Sequence, residues 1–118
     1  MDTLLSVLKA LADKNRMRII AALLQHNELC ACQLTELLGV AGATASRHLA
    51  QLQNAGLIEG RKDGRWVYFR MCTTLPNDLP LNWLKEQIFK SDIFSGDKKK
   101  LDSILAEDPE TICRRQRK

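Results

Sequence analysis

Apolar residues along this chain recur at spacings of three and four, the period of helices, and the pattern is interrupted once by a stretch of strand character. Leu4, Leu5, Leu8 and Leu11, with Val7 beside them, form one stripe of a first helix. Asp13 suits the cap of a second helix, in which Met17, Ile20, Ala21 and Leu24 follow helical spacing while Arg16 and Arg18 face elsewhere. That helix fades near Gln25-His26-Asn27, where His26 reads as a solvated loop residue. A short third helix holds Leu34, Leu37 and Leu38 and stops at Gly39, because glycine takes the left-handed conformation that ends helices at little cost. After a turn through Val40 and Ala41, a fourth helix keeps Ala45, Leu49 and Leu52 inward and closes at Ala55-Gly56. Its opposite face is left for an external partner.

From Leu57 to Arg70 the period changes. Val67, Tyr68 and Phe69 favour strand, and Asp63-Gly64 supplies a tight hairpin turn flanked by Arg61, Lys62 and Arg65. A two-stranded ribbon is marginal alone, so this wing must pack its apolar face, Trp66 included, on the helices. Thr73 to Pro80, with two prolines and an Asn-Asp pair, reads as a linker. A fifth helix then gathers Leu81, Leu84 and Ile88 with Trp83, and a sixth, after Gly96, carries Leu101, Ile104 and Leu105. Pro109 to Lys118 is polar and basic and is expected to be mobile. The result is a mainly α chain with a small β-hairpin wing, a winged helix-turn-helix. Residues 1–92 form the reader with its dimerisation helices, and residues 93–118 a C-terminal helix and partly flexible basic tail. The first and fifth helices carry more apolar surface than so small a core absorbs, which points to a homodimer through the N- and C-terminal helices.

Charge sharpens this picture by where it lies. The net charge of +4 over 118 residues is modest. Residues 1–40 balance four basic against four acidic side chains, residues 41–70 carry five against two, and residues 71–112 five against eight. The last six residues add Arg114, Arg115, Arg117 and Lys118. Positive charge thus gathers on the fourth helix, the hairpin and the tail, as binding to phosphates requires. Small residues at the start of the fourth helix admit it to the major groove of duplex DNA. Ala43, Thr44, Ser46, Arg47 and His48 are its candidate DNA contacts, and Arg61, Lys62 and Arg65 those of the wing. No secretory signal or membrane span is evident, the longest unbroken apolar run being Ile19 to Leu24, so a cytoplasmic protein without membrane partners is expected.

Four cysteines add chemistry. Cys30 and Cys32, one residue apart just before the third helix, are soft donors suited to trivalent arsenic or antimony, or to zinc, cadmium or lead. In a regular helix two such residues point about 200° apart, so gripping one ion with both sulfurs would distort the start of the third helix. Cys113, next to Arg114-Arg115, is a further candidate ligand, and Cys72 reads as a packed strand-end residue. Oxidation is the alternative use of these thiols, with Cys113 or a small thiol as the partner, since a ring closed between Cys30 and Cys32 is strained. A thiol enzyme finds no support, because there is no Cys-X-X-Cys, no phosphate-cradling loop and no histidine placed beside a thiol by any motif.

Leu8-Lys9-Ala10-Leu11-Ala12-Asp13 with Arg16, Arg18 and Ile19, then Glu28-Leu29-Cys30-Ala31-Cys32-Gln33-Leu34, Ser46-Arg47-His48-Leu49 and Gly64-Arg65-Trp66-Val67-Tyr68, together resemble the ArsR family of winged-helix metal-responsive repressors, its arsenic-responsive branch above all. The resemblance covers about residues 4–72. It implies a homodimer that holds an inverted-repeat operator in double-stranded DNA and releases it when an inducer, arsenite or antimonite, binds, with no organic cofactor. In arsenic repressors of this kind a third cysteine follows the pair; here that position is Thr35. The third sulfur must then come from Cys113 or another segment, or an exogenous thiol or hydroxide completes the site. Cadmium, lead and zinc sensors of the family share the Cys-X-Cys pair but complete their sites with N-terminal cysteines, and no cysteine precedes Cys30. The family's histidine-lined zinc site is absent, since no histidine follows His48.

Overall fold

A computed structural model describes residues 2–73 and 81–116 of the chain. In order, the elements are α1 (Asp2–Leu11), α2 (Lys14–Gln25), β1 (Leu29–Cys30), α3 (Ala31–Leu38), α4 (Gly42–Asn54), β2 (Ile58–Asp63), β3 (Trp66–Met71), α5 (Leu81–Phe89), α6 (Asp92–Leu105) and α7 (Pro109–Gln116). The sheet is antiparallel in the order β1-β3-β2, and Leu29 pairs with Phe69 while Gly60 lies on the other side of Phe69. This is the expected winged helix-turn-helix: α3 and α4 form the helix pair, and β2 and β3 the wing. No helix among the described residues is long and apolar enough to cross a membrane.

The core is aliphatic. Ile19, Leu34, Leu37 and Leu52, one or two from each of α2, α3 and α4, are fully buried, and Leu57, Ile58 and Phe69 bring the base of the wing onto them. Gly39 ends α3 at φ 68°, and its N–H donates to Thr35 O. Gly64, at φ 62°, opens the two-residue turn between the paired Asp63 and Trp66. The first helix differs from its apolar pattern: Val7, Ala10 and Leu11 are inside, whereas Leu5 and Leu8 lie at the surface. With exposed Trp83 and Phe89 on α5 and Ile93 on α6, they leave large apolar side chains facing outward.

Three further differences bear on the site. Cys30 sits in a short strand that the alternation did not reveal, because two residues are too few to show a period. The sixth helix begins at Asp92, not after Gly96: the Ser91 hydroxyl accepts from Phe94 N–H and caps it five residues upstream of the glycine. The expected mobile tail is corrected for Pro109–Gln116, which form α7, because Ile112 is completely buried against the body. The linker residues 74–80 and the last two residues of the tail lie outside the described residues.

Candidate nucleic-acid interface and thiol cluster

The outward side of the first turns of α4 is open. A side chain at Gly42 would meet nothing within 4 Å, and Ala43, Ser46 and Arg47 are exposed. Ala45, Leu49 and Leu52 bury the opposite face. Arg47 donates to Thr44 Oγ1 at 3.3 Å, so the two polar side chains stand together on the open side. His48 is different. Its ring is turned inward toward Arg16, with Nδ1 3.4 Å from Arg16 Nη1.

The wing presents Arg61, Lys62 and Arg65, all exposed. Two of them are engaged by carboxylates. Arg61 makes a paired bond to Glu28, at 2.6 and 3.0 Å, and its guanidinium lies 4.8 Å above the Tyr68 ring. The hydrogen bond holds the Glu28 carboxyl below its ordinary value and raises Arg61 in return. Arg65 pairs with Glu110 of α7 and lies over the Trp66 ring. Neither acidic partner is evident from sequence, since 33 and 45 residues separate them from their arginines. Only the sheet pairing of β1 with β3 and the docking of α7 bring them to the wing.

Cys30 is buried at the N-cap position of α3, and its N–H donates to Gln33 Oε1 at 2.9 Å. Cys32 is half-buried one residue into the helix and is joined by a disulfide to Cys113 of α7, with Cα atoms 5.4 Å apart. Gln116 Nε2 donates to Cys32 O at 2.8 Å, and Arg115 pairs with Glu36, so α7 is fastened along α3 by three kinds of bond. The thiols of Cys30 and Cys72 are free; Cys72 follows β3, and burial, then the Glu59 charge, pushes its thiol above its ordinary value. Thr35 Oγ1 donates to Ala31 O at 2.8 Å, within its own helix, and is buried. Among the described residues no three histidine, cysteine or carboxylate side chains stand together as a metal cage.

The family model described as "Bacterial regulatory protein, arsR family" matches residues 13–59. Over 82 residues the chain is 37% identical to the arsenic resistance transcriptional regulator ArsR2 of Pseudomonas putida, spanning 70% of this chain and 67% of that protein. The chain belongs to the ArsR family.

Other relatives of this ArsR-family chain include the arsenic resistance transcriptional regulator ArsR1 of Pseudomonas putida, 43% identical over 70 residues, 59% of this chain and 55% of that one. The cadmium resistance transcriptional regulatory protein CadC of Listeria innocua is 39% identical over 61 residues, 52% of this chain and 51% of its own length. The chain thus spans about half the length of the first curated relatives it matches. Among solved structures, HlyU from Vibrio cholerae superposes with a TM-score of 0.58 at 29% identity, over 73% of this chain and 84% of that one. A homodimeric winged helix-turn-helix DNA-binding domain from Mycobacterium bovis, described as a possible ArsR-family transcriptional regulator, does so at 0.58 and 26% identity, over 88% and 82%. The family and these relatives are transcriptional regulators, not enzymes. The matched segment, 13–59, holds the helix pair and the Cys-X-Cys pair and ends before Cys113.

Proposed function

We propose that this ArsR-family chain is a cytoplasmic transcriptional repressor that holds an inverted-repeat operator as a homodimer and leaves it when trivalent arsenic or antimony is taken up by the thiols at the start of α3. The observation that carries this reading is the placement of Cys30 and Cys32 at the first turn of the helix that packs behind the exposed α4. Ala43, Thr44, Ser46 and Arg47 are then the groove-facing set, with Arg61, Lys62 and Arg65 on the flanking phosphates. Leu5 and Leu8 of α1 and Trp83 and Phe89 of α5 supply apolar surface for pairing with a second copy within residues 1–92, while α6 and α7 brace α3.

The donors suit the proposed ion. Cys30, Cys32 and Cys113 offer three soft sulfurs, which trivalent arsenic prefers to oxygen, and buried Thr35 is committed to Ala31 O. An ion held there would tie the N-cap of α3 to α7. Cys30 is buried at the N-cap and its N–H is bonded to Gln33, so drawing its sulfur onto such an ion would disturb the first turn of α3. Cys32 and Cys113 must also be in the thiol form.

A second reading is favoured by the disulfide itself. A peroxide would take the Cys32 or Cys113 thiolate to a sulfenic acid with loss of hydroxide. The other thiol would then displace water from that sulfur and close the bond. Persulfide chemistry at the same pair, and zinc, cadmium or lead on the Cys-X-Cys pair, as the likeness to CadC suggests, are the remaining variants. Fluorescence anisotropy with a duplex selected from a random library separates them. Release by arsenite under reducing conditions, lost in Cys30→Ser/Cys32→Ser, supports the first reading. Release by peroxide but not by arsenite, lost in Cys113→Ser, supports the second. Binding indifferent to both leaves a reader without either trigger.

A further inference from the structure

The inward side of α4 carries a contact that DNA reading does not by itself require. His48 follows buried Ala45 by three residues and precedes buried Leu52 by four, so helical spacing turns it toward the body of the protein. Its side chain is only 15% exposed. The group it meets, Arg16, is itself a junction. Arg16 Nε donates to Ala10 O at 2.6 Å and Nη2 to Lys9 O at 3.3 Å, two carbonyls of the last turn of α1. Helix ends leave such carbonyls without intrahelical donors, and a guanidinium is well shaped to serve two of them. Arg16 N–H donates to Asp13 Oδ1 at 3.1 Å, and the same carboxylate oxygen lies 3.9 Å from His48 Nδ1.

We propose that His48 is a positioning residue for the reading helix, not a DNA contact. A guanidinium can only donate, so Nδ1 of His48 accepts from Arg16 and the ring hydrogen resides on Nε2. One arginine of α2 thereby ties the exit of α1 to the middle of α4. The inference rests on α4 being the groove-entering helix, as proposed above. The direction of α4 decides whether Ser46 and Arg47, on its far side, reach hydrogen-bonding distance of base edges, and a hydrogen bond tolerates only a few tenths of an ångström. The outward-facing Leu5 and Leu8 are on α1, so the same tie links the helix proposed to meet a second copy with the helix proposed to meet DNA.

The test uses the full chain and a duplex selected by the wild-type protein from a random library, titrated over a series of salt concentrations. His48→Leu should weaken binding roughly tenfold while leaving the slope of log affinity against log salt unchanged. His48→Gln, whose amide oxygen can accept from Arg16, should recover most of that loss. A slope reduced by about one per subunit marks a lost phosphate contact and overturns the inference; so does a glutamine variant no better than leucine. Long-range proton–nitrogen spectra of the wild-type protein provide an arm that needs no variant. They should show the Nε2–H tautomer, unchanged on adding the duplex, and a ring that shifts tautomer or charge with DNA overturns the proposal. If no duplex is selected at all, the DNA-binding reading falls and this inference with it, whereas a changed slope removes the inference alone.

Discussion

Asp13 closes the start of α2 with one oxygen: Oδ1 accepts from Arg16 N–H at 3.1 Å. That bond, opposed by some burial and aided by the Arg16 charge, holds the carboxyl below its ordinary value of 3.8. A depressed carboxylate contributes stability above its unfolded value and loses it as the pH falls through the folded one. Asp13→Ala should therefore cost about 1 kcal/mol near neutral pH, with the difference from wild type narrowing below about pH 4, and Asp13→Asn should retain most of the cap. Urea unfolding at neutral and acid pH checks this, and a difference that widens in acid would contradict it. Cys72 has the opposite displacement, upward through burial and the Glu59 charge. Its thiol should react with iodoacetamide at neutral pH more slowly than free cysteine does, as peptide mapping after timed quenching would show.

At the scale of the element, the wing arginines are held ready by carboxylates. The Arg61–Glu28, Arg65–Glu110 and Arg70–Glu59 pairs are all largely solvated. Such exposed pairs contribute little to stability, so a phosphate can take the place of a carboxylate. Arg65→Ala should weaken binding to all duplexes alike and lower the salt slope by about one per subunit. Glu28→Gln should have the reverse effect on affinity, because Arg61 then leaves no carboxylate behind on reaching DNA. Equal affinity of Glu28→Gln and wild type over the whole salt range would show that Arg61 stays with Glu28 in the complex. The strands themselves were legible: Val67 to Phe69 and Asp63-Gly64 announced β3 and the turn. The acidic partners were not, because a salt bridge between residues 33 or 45 positions apart leaves no local pattern.

Across the whole molecule, α6 and α7 brace the helix-turn-helix from behind. Arg18 of α2 is bound through two bonds to Asp97 of α6, at 2.8 and 3.0 Å, and Lys100 donates to Leu37 O at the end of α3. The Cys32–Cys113 bond then fastens α7 across a separation of 81 residues. A cross-link closing so long a loop restricts the unfolded chain strongly, so Cys113→Ser, or reduction of the wild-type protein, should lower stability by about 2–4 kcal/mol. Comparing denaturant midpoints with and without reductant measures this, and Cys113→Ser should show no response to reductant.

The chain by itself determined the helix pair, the hairpin and the faces they bury, because these follow from local periodicity, a cap at Asp13 and glycines at 39 and 64 whose backbones turn left. It also singled out Cys30 and Cys32 as candidate soft ligands, since their spacing and neighbours are local facts. Only the tertiary structure decided which sulfur meets which, that residues 109–116 are a helix with Ile112 sealed inside, and that the His48 ring faces Arg16. Those outcomes depend on contacts between segments 32 to 81 residues apart, where no period or motif reaches and packing alone selects the partners.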